Sequence, residues 1–250
     1  MSPRSSSEIA LIRESGRISA IAMKKVLDNI KAGVSCLELE KLVAEEIKSL
    51  GGEIAFAKVP GYKWATCITI NDEVVHGIPT NRLIKEGDLV SIDLGAVYKG
   101  WYSDTAWSVI VGQVDSETKK FLQVGEQALW QGIKEATDGN HVGDISTAIQ
   151  TVVEGASYSV VRSLVGHGIG KNLHEDPEVP GFGKSGTGLK LKTGMSLAVE
   201  VIYTKGKPEV VLEDDNWTIS SADGSLGGLF EMTVIVGKEK AEVLTDWRSA

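Results

Sequence analysis

The chain has 250 residues, a net charge of −8 and 42% apolar residues. That length buries a substantial core as one large domain or two small ones, and negative charge spread along the chain argues against nucleic acid as the main partner. Two cysteines, Cys36 and Cys67, build neither a disulfide framework nor a thiolate metal cluster, no apolar run reaches the roughly 20 residues of a membrane span, and the polar start lacks the apolar stretch of a signal peptide. A reducing cytoplasm is the expected setting.

Residues 1–6 are polar and expected to be flexible. Ser7 to Ile30 places Ile18, Ala22 and Val26 at helical spacing. Lys31 to Val34 breaks that helix. Ser35 and Glu38 then form a capping box, with Leu39, Val43, Ile47 and Leu50 on one face. Gly51-Gly52 ends the second helix. Strands are predicted over Thr66–Asn71, Leu89–Val97 and Trp101–Val111, the last two joined by a hairpin tip at Lys99-Gly100.

The order then restarts. Thr118–Ala136 reads as a helix, and Asp138-Gly139-Asn140 as a breaker. Asp144 can cap a helix carrying Ile145, Ile149, Val152 and Val153. Strands resume over Tyr158–Val165, Ser196–Tyr203 and Leu229–Val236. Glycine-rich stretches at 181–188 and 224–228 read as surface loops. His-Gly-Ile occurs at His76 and again at His167. Helix–helix–strands therefore occurs twice, in halves of about 7–112 and 113–240. The halves are expected to form a single α+β domain over residues 1–250, a curved sheet covered by helices. His141 is expected in a solvated loop, Trp130 in the core, Trp247 in packing or disorder, and Cys36 in a structural role.

The phrase from Glu86 to Asp93 matches the phrase from Thr193 to Glu200: a glycine, apolar residues, then an acid. An ionised carboxylate in an apolar strand costs many kcal/mol without a partner. Asp93 and Asp104 flank the Lys99-Gly100 turn, so on paired strands they point to one face within about two residues of register. Glu200 and Glu231 sit in apolar strand text with no Lys or Arg to pair with them. His167 is flanked by glycines that allow close approach. Each residue alone has a plain reading: an exposed edge aspartate, a buried ion pair, a loop histidine. Together, four carboxylates and one imidazole suit two divalent ions, with +4 balancing −4. Water bridging such ions turns acidic and serves as a hydrolytic nucleophile. Mn, Fe and Co suit these ligands as well as Zn does.

The ordered series Ile70-Asn71-Asp72-Glu73-Val74-Val75-His76-Gly77-Ile78-Pro79, Asp93, Asp104, Gly166-His167-Gly168-Ile169-Gly170, His174-Glu175-Asp176-Pro177, Glu200 and Glu231 resembles the type I methionine aminopeptidases. The resemblance runs from about Ile9 to Leu244. It implies the duplicated pita-bread fold with a mostly antiparallel sheet. It implies that Asp93, Asp104, His167, Glu200 and Glu231 bind two metal ions and that His76 and His174 contact substrate. Tyr62, Cys67 and Trp217, with Phe56 and Leu173, match the methionine pocket. The implied activity is removal of the initiator methionine before a small second residue, by attack of a metal-bridging hydroxide. Glu200 would move the proton, His174 would help hold the oxyanion, and His76 would touch the peptide around the next residue.

The implied partners are N-termini of nascent polypeptides, with the ribosome as one place to meet them; the expected state is a monomer. About twenty-five residues separate His174 from Glu200, too few for the helical insertion of type II enzymes. The short start resembles the minimal bacterial form. Two positions depart from the family: Val201 follows Glu200 where Pro is usual, and Met232 follows Glu231 where His is usual. Met232 is expected to change a neighbour of the metal shell. The segment Tyr62–Thr66 also differs from the usual text. The rivals are an Xaa-Pro peptidase of the same fold, which usually carries a large N-terminal domain, and a non-enzymatic binding homologue, which would be expected to have lost ligands.

Overall fold

Paired capping boxes start the first two helices. Ser5 and Glu8 cap α1 (Ser6–Leu27), and Ser35 and Glu38 cap α2 (Cys36–Ser49). In each, the glutamate accepts the serine N–H at 2.8 Å and the serine hydroxyl accepts the glutamate N–H. The computed structural model describes all of residues 1–250. After α2 come β1 (Glu53–Ile54), β2 (Thr66–Ile70), β3 (Glu73–Val75), β4 (Leu89–Tyr98) and β5 (Trp101–Ile110). The second half repeats the helix pair as α3 (Ser116–Glu135) and α4 (Val142–Gly155). Its strands are β6 (Ser159–Val160), β7 (Gly166–Gly168), β8 (Glu175–Val179), β9 (Ser196–Thr204), β10 (Val210–Leu212), β11 (Ile219–Ser221), β12 (Gly227–Ile235) and β13 (Glu242–Val243).

The large sheet runs β1-β4-β5-β12-β9-β7-β8, with β2 also on β4, β6 on β9 and β13 on β12. Its pairs are antiparallel. The duplication is visible in this order. β2-β4-β5 mirrors β7-β9-β12, and the halves meet at β5 and β12. That seam has only two direct residue pairs, Glu231 with Ala106 and Met232 with Thr105. Hydroxyls bridge the rest. Ser108 donates to the Leu229 carbonyl at 2.8 Å and accepts its N–H at 3.0 Å. Thr105 donates to the Glu231 carbonyl at 2.9 Å. Thr233 accepts the Asp104 N–H and donates to the Asp104 carbonyl. A separate sheet orders β10-β11-β3 beside it.

Strand alternation divides the large sheet into two faces. Ile92 and Leu94 of β4, Val199 and Val201 of β9, and Phe230 and Met232 of β12 join Ile18 of α1, Leu39 of α2, Leu129 of α3 and Ile149 of α4 in the main core. Asp93, Glu200 and Glu231 lie between those residues and so point to the opposite face. This corrects the expectation for Met232. Its side chain, like that of Val201, is fully buried on the helix-covered face, away from the acid beside it.

Four other expectations change. Residues 1–5 are not free: the Arg4 N–H donates to the Gly194 carbonyl at 2.9 Å, and its guanidinium reaches Ser196 and Ile169. Those partners lie 165 to 192 residues away in sequence, beyond any local signal. α4 starts from His141 rather than from Asp144, which sits three residues in and accepts the His141 N–H at 2.7 Å. The segment Val161–Val165 is not strand; only Ser159–Val160 pairs, with β9. Gly227 and Gly228 are buried members of β12, and a Cβ on Gly228 would overlap the Tyr203 ring. Trp247 packs edge-on to Trp107 at 5.7 Å.

Close glycine packing also seats α3 on the sheet. A Cβ on Gly125 would fall 2.6 Å from the Phe230 ring and would overlap the Tyr203 hydroxyl, whereas one on Gly155 meets nothing within 4 Å. We expect Gly125→Ala to destabilise by about 1–3 kcal/mol through overpacking. Gly155→Ala should cost nothing and stabilise by up to about 1 kcal/mol. Urea unfolding of both variants checks the contrast.

Candidate metal and substrate site

Two glycine turns launch the acidic strands. Gly87 and Gly194 have φ of 88° and 90°, a left-handed backbone that glycine takes without strain. Six residues after each stands an acid, Asp93 on β4 and Glu200 on β9. The sheet register then carries these acids into one row. Cys67 pairs with Asp93, Asp93 with Ala106, Ala106 with Glu231, and Glu231 with Glu200. Directly paired residues share a face, so the row is continuous across both halves. Asp104 pairs with Gly95, two positions from Asp93 across the hairpin. His167 pairs with Ala198, two positions from Glu200. The Lys99-Gly100 tip, with both residues at positive φ, sets the hairpin register.

The row is crowded and dry. Asp104 and Glu231 are 4% and 2% exposed. His167 Nε2 lies 3.9 Å from Asp104 Oδ2 and 3.8 Å from Glu231 Oε1. These three residues offer donor atoms that all lie within 4.8 Å of one another. Burial, then the neighbouring carboxylates, pushes Asp93, Asp104 and Glu231 well above the usual carboxylate range. Burial raises Glu200 to about 7 and lowers His167 to about 4. Every direction is the one that strips charge from an isolated buried group, and a cation among them reverses it.

Two observations fit the row to a cation. Asp93 Oδ1 and Glu231 Oε1 are buried with no hydrogen-bond partner, a costly state for a carboxylate oxygen. His167 Nδ1 lies 2.9 Å from the Gly168 carbonyl. That bond places the proton on Nδ1 and leaves Nε2 as a lone-pair donor facing the acids.

One cavity of about 320 Å³ is lined by this row and by Tyr62, Cys67, His76, His174 and Trp217. All ten residues singled out in the sequence therefore meet at one place. Phe56 and Leu173 line it as well. The apolar end packs the Tyr62 and Trp217 rings edge-on at 4.9 Å, with Cys67 beside them. Burial pushes the Cys67 thiol well above its usual range, so it is a neutral packing group rather than a nucleophile. Glu40 of α2 braces this wall, accepting the Ala65 N–H, the Thr66 N–H and the Thr66 hydroxyl at 2.6–2.9 Å. The Thr66 carbonyl in turn accepts the Tyr62 hydroxyl at 2.7 Å. The His174 ring stands 4.5 Å from the His167 ring, edge-on. His76 follows β3 with φ of 60°.

Sequence reasoning missed the other end. Val75, Ser163, Leu164, Val165 and Ile202 also line the cavity. A signal existed for two of them: Val75 precedes His76, and Ile202 follows Glu200 by two, on the same face. Ser163 to Val165 carried none, because the segment reads as strand but does not pair.

The comparisons agree with this geometry. Residues 10–237 match metallopeptidase family M24. Over 238 residues the chain is 40% identical to methionine aminopeptidase 1 of Bacillus subtilis, covering 95% of this chain and 96% of that one. A methionine aminopeptidase structure from Thermotoga maritima superposes with a TM-score of 0.96 at 41% identity, covering 98% of this chain and 99% of that one. The prolidase of Pyrococcus furiosus, at 23% identity and TM-score 0.79, shares the fold; this chain covers 65% of it. The chain belongs to metallopeptidase family M24 and, within it, to the methionine aminopeptidases. No helix is long and apolar enough to cross a membrane.

Like charges crowd the row, and a cation that binds the folded state stabilises it by mass action. Mn²⁺ should therefore raise the melting temperature of chelator-treated protein. Asp93→Asn removes one of those charges, so that variant should melt higher than wild type under chelation and gain less from Mn²⁺. Differential scanning fluorimetry of both proteins with and without the ion checks this.

Proposed function

We propose that this chain is a metal-dependent aminopeptidase that removes the N-terminal methionine from polypeptides with a small second residue. The observation that carries the reading is the single cavity that joins five metal-type donors to an apolar end sized by Tyr62, Cys67 and Trp217. An unbranched, polarizable thioether fits that end. Asp93, Asp104, His167, Glu200 and Glu231 would hold two divalent ions. When bound, such ions supply Lewis acidity toward the scissile carbonyl and an acidified water.

The chain's own groups do the rest. The apolar end orients the methionine so that its carbonyl faces the acid row. Glu200 takes a proton from the attacking water and returns it to the leaving amine. His174 donates to the oxyanion as the carbonyl carbon becomes tetrahedral. His76 touches the peptide at the following residue. Walls at Val75, Leu164 and Ile202 close the space beyond it and favour a small side chain. The Xaa-Pro reading has no comparable support, because the prolidase likeness extends to the fold alone.

Chelator-stripped protein should not turn over a Met-Ala-Ser peptide, and restoring single metals in turn should recover activity and rank Co, Mn, Fe and Zn. The loaded enzyme should cleave Met-Ala and Met-Ser peptides faster than Met-Leu or Leu-Ala, and leave Ala-Pro intact. Full turnover under exhaustive chelation, or equal rates on all these peptides, contradicts the reading.

The two histidines should separate. His167→Ala should lower metal content as well as rate. His174→Ala should keep its metal and lose roughly 10²–10³ in kcat, the usual cost of one oxyanion donor. The loss should appear in kcat and kcat/KM alike. Metal analysis with steady-state kinetics checks both assignments.

A further inference from the structure

The loop from Ile169 to His174, between β7 and β8, carries Leu173 of the apolar end and His174. Within the loop the Gly170 N–H donates to the Asn172 carbonyl at 3.1 Å, and Ile169 and Leu173 are buried, while Lys171, Asn172 and His174 are exposed. The rest of its hold comes from outside. The Gly170 carbonyl accepts the Tyr102 N–H at 2.8 Å, and the Ile169 N–H donates to the Ser196 carbonyl at 3.2 Å. The Ser196 hydroxyl also donates to the Ile169 carbonyl, and a further set of contacts converges on Arg4.

Arg4 is 14% exposed at its side chain and lies behind the loop. Its guanidinium donates to the Ile169 carbonyl at 3.2 Å, to the Ser196 hydroxyl at 3.2 Å, and to one oxygen of the Glu175 carboxylate. The other Glu175 oxygen accepts the Asn172 N–H at 3.0 Å. Thus one carboxylate is shared between Arg4 and the turn that precedes His174. Arg4 and Lys171 of the loop both stand over the Trp101 ring, at 5.5 and 4.4 Å from its centre. Backbone bonding of Arg4 to Gly194 fixes the arm from which the side chain reaches.

We infer that Arg4 is a positioning residue for the reaction: through Glu175 and Asn172 it holds the Ile169–His174 loop so that His174 meets the developing oxyanion. The inference rests on the substrate role given to His174 above. The planar guanidinium is what the site requires, because it serves a carbonyl, a hydroxyl and a carboxylate at once. Without it, Glu175 is left as a mostly buried acid with no cation, and its grip on Asn172 loosens. A lysine satisfies one of these partners and not the set. An oxyanion donor misplaced by about 1 Å costs up to about 10²-fold.

The test compares metal-loaded Arg4→Met, Arg4→Lys, Glu175→Gln, His174→Ala and the double variant Arg4→Met/His174→Ala on a Met-Ala-Ser peptide. Arg4→Met should lower kcat by roughly 10- to 100-fold with unchanged metal content. Arg4→Lys should recover part of the loss. Adding Arg4→Met to His174→Ala should lower kcat no further, since the donor it positions is gone. A purely structural role gives a different pattern: a lower melting temperature and a loss that multiplies in the double variant. That pattern, or wild-type kcat in Arg4→Met beside a slow His174→Ala, overturns the inference alone. Wild-type kcat in His174→Ala overturns the role of His174 and the inference with it. If Arg4→Met does not fold, Glu175→Gln combined with His174→Ala gives the same non-additivity test.

Discussion

Four carboxylates on one largely buried sheet face cannot all stay ionised unless positive charge lies among them. Asp93, Asp104, Glu200 and Glu231 line one cavity with three histidines, of which His167 alone stands in the acid row, and with no Lys or Arg. The penalty for burying such groups unpaired is large enough to unfold a marginally stable domain. The architecture supplies the solution from symmetry. Each half launches a strand from a left-handed glycine and places an acid six residues on. Antiparallel pairing across the seam then sets Glu231 directly opposite Glu200. The duplication therefore does not merely repeat a fold; it brings half of a charge cluster from each copy to one place.

The seam where the copies meet shows the cost of that arrangement. Direct pairing between β5 and β12 is confined to two residue pairs beside the acids. Hydroxyls of Ser108, Thr105 and Thr233 supply the remaining bonds. Thr233 holds both the N–H and the carbonyl of Asp104, so the backbone beneath a metal-type donor is fixed by a side chain of the other half. Rigidity at the acid row is thus obtained from polar bridges, while the opposite face of the same strands packs apolar residues under the four helices. The loop that bears His174 packs Ile169 and Leu173 into a smaller apolar cluster and shares the Glu175 carboxylate with Arg4, a residue distant in sequence.

What was legible in the sequence follows local rules. Capping boxes at Ser35 and a hairpin tip at Lys99-Gly100 are signals within four residues, and both elements form where expected. The acid row was legible because an acid in apolar strand text is costly and therefore informative. Alternation, a local rule, sets the acids of each strand on one face, whereas the pairing of Glu231 with Ala106 that joins the halves spans about half of the chain's length and follows from the duplication. Most of what failed was non-local. Polarity suggested that residues 1–6 were free, yet Arg4 is held by partners at 169, 175 and 196. Met232 stood next to an acid in sequence but faces away from it, a consequence of strand alternation. Val161 to Val165 has strand composition but does not continue the strand, and its last three residues line the cavity; pairing partners cannot be read from composition.

The central claim is that ions shared between the halves neutralise the acid row. Anomalous X-ray diffraction from crystals of the Mn²⁺-loaded protein tests it most directly. The account predicts two anomalous peaks among Asp93, Asp104, His167, Glu200 and Glu231, each touched by carboxylates from both halves. A peak confined to ligands from one half, or no peak at this cavity while the four carboxylates bond only to one another, would contradict it.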